Sequence, residues 1–169
     1  LPTLDRDQSL NQSLAELCAA PIKLEDFEGM PCIIALDLAS KIDIAAKAYI
    51  FWKDIGDVAT KTVERYYFGF LKCYLPQQAI TDGRNASYEG WKQEGWLTVN
   101  PGDVVSYSAI KADLLVDKSR FKVKEVVYDP FHGDQLQQEL TSDGFVMVKM
   151  PSTTEAERNV CVKTFKAIF

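Results

Sequence analysis

The order of elements along the chain predicts an α/β domain built on one mixed sheet with helices on both faces. Three strand-like runs come first and are joined by short links, which reads as an antiparallel meander. Helix-like and strand-like segments then alternate, as crossover units do. The composition agrees: 169 residues, 47% apolar and 25% charged, suit one domain with a sizeable core.

In order, LPTLDRDQSLNQS (1–13) is polar and lacks a clear period, so it reads as a flexible leader, with the domain taken as 14–169. A short helix is expected from Leu14 to Ala20, with Ser13 and Glu16 forming a capping box and Pro21 ending it. The first strand is CIIALDL and the second IAAKAYIFW (44–52), with KDIGD as a turn. The third is TVERYYFGFLKCYL, rich in aromatic and β-branched residues. A helix around 84–94 is closed by Gly95, and LTVNPGDVVSY holds a Pro-Gly turn. Ile110, Leu114 and Leu115 have helical spacing. VKEVVYDP is the fourth strand, GDQLQQELTSDG a helix stopped by Gly144, and FVMVKM the fifth strand. A last helix starts at Thr153 or Thr154. The resulting order is ribonuclease H-like: five strands arranged 3-2-1-4-5, with strands four and five added alongside strand one.

Several classes are excluded. Four scattered cysteines (Cys18, Cys32, Cys73, Cys161), with no CxxC pair, argue against zinc and for reduced thiols in the cytoplasm. No apolar run approaches the ~18 residues of a membrane span, and no secretory signal is visible. No glycine precedes a lysine, so there is no phosphate loop of the GxxxxGK type, and GxGxxG and GxSxG are absent too. The formal net charge of −5 rules out a broadly basic coat but leaves room for a local nucleic-acid groove.

The chemistry-bearing candidates are acids. Asp37 follows the apolar run Ile33–Leu36, and Asp129 ends the fourth strand. In the predicted order these strands are neighbours. The two carboxylates would repel unless a cation sat between them, and hard oxygen donors suit Mg²⁺ or Mn²⁺. One or two such ions can activate a water and stabilise a leaving oxygen in phosphodiester cleavage. The bland alternative stays open, since Asp129 precedes Pro130 as a turn residue would. Asp43 is either a supporting carboxylate or a turn residue, and Asp134 suits a helix start. His132, the single histidine, reads as a solvated loop residue or as one that positions a phosphate. Trp91, Trp96 and Tyr88 could stack on bases or pack a helix on the sheet. Lys41, Arg84, Lys118, Arg120 and Lys122 are candidate DNA-phosphate contacts, with Lys92, Lys111 and Lys124 beside them; KSRFKVK (118–124) is the densest basic run.

Longer blocks carry more information than any single acid. DFEGMPCIIALDLASKIDIAA, then YLP followed by a W…G.L…PG..V.Y block (Tyr74–Tyr107), then VVYDPFHGDQLQQEL and DGFVMVKM resemble the C-terminal nuclease domain of the large terminase subunit of tailed bacteriophages. The likeness runs from about residue 14 to the end. It implies a ribonuclease H-like fold and metal-dependent cutting of concatemeric viral double-stranded DNA. It also implies an N-terminal ATPase domain in the same polypeptide, and the small terminase subunit and the portal protein as partners, in the host cytoplasm. Asp37 falls on the family's first-strand ligand and Asp129 on its YDP carboxylate. The family's third aspartate follows the last helix, and the chain stops at Phe169, as an excised domain short of that ligand would. Three alternatives remain: a DNA-clamping or docking module of the same fold, a resolvase- or integrase-type nuclease, and half of an actin-like kinase. The kinase expects a Gly-rich turn after the first strand, and DLASKID has none.

Overall fold

The computed structural model describes residues 21–39, 42–57, 62–129 and 134–150. The expected leader (1–13), first helix (14–20) and last helix lie outside these residues. All elements below fall within one compact unit, Leu24–Met150.

Strands β1 (Pro31–Asp37), β2 (Ala45–Asp57), β3 (Thr62–Pro76), β4 (Leu97–Asn100), β5 (Lys122–Tyr128) and β6 (Met147–Lys149) form one sheet in the order β4-β3-β2-β1-β5-β6. The helices are α1 (Gln77–Thr81), α2 (Tyr88–Gln93), α3 (Tyr107–Arg120) and α4 (Asp134–Ser142). Strand β2 runs antiparallel to β1 and β3. The pairs β1–β5, β5–β6 and β3–β4 are parallel. Every described strand except β2 therefore ends on the same rim.

This is the expected ribonuclease H-like arrangement with one strand more than the five anticipated. The addition is β4, an edge strand on β3, where a Pro-Gly turn was expected. The turn begins only at Pro101, after Leu97–Asn100 has paired with Cys73–Pro76. Strand β2 also outruns its predicted end: KDIGD is strand, not turn, because Asp54 lies directly across from Arg65 and accepts a bidentate pair of hydrogen bonds at 2.6 and 2.9 Å. The helix expected at 84–94 is shorter, Tyr88–Gln93, and a separate short helix, Gln77–Thr81, precedes it. Gly83 takes φ +63, and the Asn85 side chain accepts from Ser87 N at 2.9 Å, a local bond that competes with helix.

Alternation along the strands splits the sheet into two faces. Cys32, Ile34 and Leu36 lie opposite Phe51, Tyr49 and Lys47, and all six are buried. Val126 and Tyr128 of β5 extend this layer. Helix α3 covers it with Ile110, Leu114 and Asp117, the i, i+4, i+7 stripe of one helical face. Leu115, the third apolar residue of the helical spacing noted in the sequence, is 42% exposed. Helix α4 lies beside α3, joined by Lys111 to Glu139 (2.9 Å) and Asp143 (3.1 Å). Phe27 closes the far end of the layer against Phe51, Phe68 and Phe70, with ring centroids 4.8–5.2 Å apart. On the other face Leu75, Ala79 and Leu97 form a small core with Ile80 of α1 and Tyr88 of α2. Burying these two layers is the main favourable term in the fold.

Candidate functional site

Asp37 is the last residue of β1, and Asp129 directly follows the last residue of β5; both are exposed. The strands are parallel neighbours whose final pair is Leu36 with Tyr128, so each acid is one residue beyond that pair. Adjacent strands lie about 4.8 Å apart, which sets the scale of the gap. The register reaches this state through a one-residue shift between Cys32 and Ile33, where Lys124 of β5 has no partner. Without it, Leu36 would face Val127 and Tyr128 would stand beside Asp37, because a slip of one residue turns every side chain to the other face. The position is also a topological switch point. The chain lays down β1 to β4 on one side, then crosses through α3 to place β5 on the other side of β1. Ligands of open α/β sheets bind outside strand ends at such points.

Asp43 sits in the exposed bend before β2. Among the described residues, no group of three or more His, Cys, Asp or Glu is arranged to hold a metal ion. The donors that the topology makes neighbours are thus two carboxylates. That set suits Mg²⁺, which keeps several waters and takes one or two carboxylates with substrate phosphates.

The basic candidates are scattered. Lys41 and His132 lie outside the described residues. Arg84 follows α1, which leaves the rim end of β3, and faces Asp82 at 4.0 Å. Lys118, Arg120 and Lys122 are at the opposite end of the sheet: Lys122 pairs with Pro31, six residues below Asp37, or about 20 Å at 3.3 Å per residue. Two of these three have structural partners. Lys118 donates to the carbonyls of Asp143 (2.6 Å) and Gly144 (3.0 Å). Arg120 donates to Glu28 at 3.0 Å and lies 3.7 Å from Glu25. Trp91 and Trp96 are 40% and 68% exposed and line, with Ile44, Leu71, Cys73 and Leu97, a groove of about 550 Å³.

One polar cluster went unread in the sequence. Lys47 is fully buried, with its Nζ 2.5 Å from Asp117 Oδ2 and 3.2 Å from Asp113 Oδ2. The Tyr49 hydroxyl donates to the Asp117 carboxylate at 3.0 Å, and the Tyr74 hydroxyl donates to Asp113 at 2.5 Å. Lys72 also contacts Asp113. Burial and the neighbouring Asp117 carboxylate push the Tyr49 phenol upward; burial and its bond to Asp113 do the same for Tyr74. At Asp113 burial works to raise the pKa, but bonds from Lys72 and Tyr74 and the charge of Lys47 hold it below the usual carboxylate range. The signal was present as an alternation: Ala45, Lys47, Tyr49 and Phe51 share one face, and Asp113 and Asp117 are one helical turn apart beside Ile110 and Leu114. A lysine at an inward strand position requires an acid opposite it. The cluster sits below the rim on the face opposite Asp37, so it holds α3 to the sheet and is not itself part of the carboxylate site.

No family model matches the chain. Protein YmfN of Escherichia coli (strain K12) is 31% identical over 129 residues, covering 72% of this chain. The chain spans 27% of that relative's length. The crystal structure of the HK97 bacteriophage large terminase superposes with a TM-score of 0.72 at 22% identity, over 95% of this chain and 32% of that one. The chain therefore has the fold of part of a phage large terminase.

Proposed function

We propose that the chain is the nuclease domain of a phage large terminase, a divalent-metal-dependent endonuclease that cuts concatemeric double-stranded DNA during genome packaging. The observation that carries this reading is the pair Asp37 and Asp129, ending adjacent parallel strands at the switch point of a sheet with the terminase fold. Mg²⁺ or Mn²⁺ is the expected cofactor. When bound, one or two such ions supply activation of a water and stabilisation of charge on the leaving oxygen.

The chain's own residues do the rest. Asp37 and Asp129 offer hard oxygens from rigid strand ends, so their geometry needs little reorganisation as the phosphate arrives. Their mutual repulsion makes the site favour a cation. Asp43 is a supporting carboxylate on the segment leading into β2. Arg84 meets the DNA backbone near the rim, and Lys41 is a further phosphate contact; Lys118, Arg120 and Lys122 reach the backbone only where the duplex runs the length of the sheet. Phosphate contacts of this kind fix position rather than sequence. The small terminase subunit, the portal protein and an N-terminal ATPase domain in the same polypeptide are the proposed partners.

The test is conversion of supercoiled plasmid to nicked or linear DNA with Mn²⁺, with and without EDTA, by the chain and its Asp37→Ala variant. Metal-dependent cutting lost in the variant supports the proposal. Cutting that survives Asp37→Ala would refute it. A second reading, a DNA clamp without catalysis, draws on the lack of a three-donor cluster among the described residues. It predicts DNA retention with no cutting under every metal condition.

A further inference from the structure

The block PGDVVSY (101–107) ends in a tyrosine that the carboxylate site does not use. Its hydroxyl donates to the carbonyl oxygen of Ala39 at 2.9 Å. Ala39 is two residues past Asp37, in the segment that carries the chain from the first carboxylate towards Asp43. The remainder of the block fixes the tyrosine's own place. Gly102 turns at φ +102, a conformation that L side chains rarely adopt, and its carbonyl accepts from Gln78 N at 3.1 Å. The Asn100 amide donates to the carbonyls of Pro101 (3.0 Å) and Val104 (2.9 Å), and its oxygen accepts from Ser106 N at 3.3 Å. The Ser106 hydroxyl caps α3 by accepting from Ala109 N at 3.2 Å. Deeper along the same helix, Asp113 and Asp117 grip Lys47, whose neighbour across the strands is Leu36 of β1. Helix α3 is thus held against the sheet below the rim and touches the rim segment at its first residue.

We infer that Tyr107 is a positioning residue for the metal site, its hydroxyl holding the Ala39 segment so that Asp37 keeps its orientation towards Asp129. The inference rests on the metal-site reading above. A side chain that braces a ligand's segment changes affinity for the ion without touching the ion, as partners behind metal ligands generally do.

The test measures Mn²⁺ affinity directly, from the loss of the free-ion electron paramagnetic resonance signal on titration into the 169-residue chain. Three variants are compared: Tyr107→Phe, which removes only the hydroxyl; Ser106→Ala, which removes the adjacent helix cap but keeps the tie to Ala39; and Asp37→Ala. Tyr107→Phe is expected to weaken Mn²⁺ binding about three- to ten-fold, the range one hydrogen bond is worth, with Ser106→Ala within about two-fold of the parent. Unchanged affinity in Tyr107→Phe overturns the positioning role while leaving the metal site standing. Equal weakening by Ser106→Ala also overturns it, since the effect would then be general loosening of α3. A parent chain that takes up no more Mn²⁺ than Asp37→Ala removes the metal site, and this role with it.

Discussion

Replacing Lys47 by methionine should be among the most damaging single changes in the molecule. Methionine keeps much of the aliphatic stem and removes the charge. Lys47 is fully buried and the Asp117 side chain is 5% exposed, so water screens neither. Breaking a buried pair by removing one partner costs about 3–5 kcal/mol, because the other charge stays behind. Asp113 keeps Lys72 and Tyr74, whereas Asp117 keeps only the Tyr49 hydroxyl among its neighbours in the cluster. The loss is therefore concentrated on Asp117 and falls near the lower end, about 3 kcal/mol. With a urea m-value near 2 kcal/mol/M, the unfolding midpoint drops by about 1.5 M. Urea titration followed by circular dichroism measures it. The paired change Lys47→Met with Asp117→Leu should recover most of the loss, since an apolar replacement of a whole buried pair is often neutral or better. A single-variant cost below about 1 kcal/mol, or a double variant weaker than the single, would refute the account of Lys47 as a desolvated charge held by its partners.

Three further outcomes are expected. Asp129→Asn should lower Mn²⁺-dependent plasmid cutting by about two to three orders of magnitude, the equivalent of several kcal/mol of lost charge stabilisation, while the urea midpoint stays put; wild-type rates in this variant would exclude Asp129 from the site. Asp113 has a folded pKa held below its ordinary value of 3.8. Its contribution to stability is therefore fully present above about pH 4 and lost as pH falls through the folded value. Urea midpoints between pH 5 and pH 2 should fall less steeply in Asp113→Asn than in the parent. The Cys32 thiol is pushed up to about 12 by burial and then by the Asp117 charge, so at neutral pH it should resist iodoacetamide until the chain unfolds, as peptide mass mapping would register.

The sheet was legible because strand patterns are local. CIIALDL alternates in burial as a one-sided strand should, and the meander followed by crossovers leaves few topologies. The neighbourhood of Asp37 and Asp129 followed from that topology alone. The misreadings have physical causes. Strand β4 is four residues long, beside a Pro-Gly turn that dominates its composition. The end of β2 carries Lys53, Asp54 and Asp57, whose polarity looks like a turn until Asp54 is seen as the cross-strand neighbour of Arg65. The basic run at 118–124 drew attention by density. Density in sequence says nothing of position in the fold, and these residues span the last turn of α3 and the start of β5, at the end of the sheet away from the rim. The Lys47 cluster was missed because each member, taken alone, looks like a surface residue.

On the proposed nuclease reading, the parallel pairing of β1 with β5 also bears on when the molecule becomes able to cut DNA. The hairpins joining β1, β2 and β3 close over short stretches, whereas Asp37 and Asp129 meet only after a loop of about ninety residues has closed. Contacts of that span form late and slowly. A nascent or half-assembled chain would hold its two acids far apart, so the proposed cutting activity would arrive only with the finished domain.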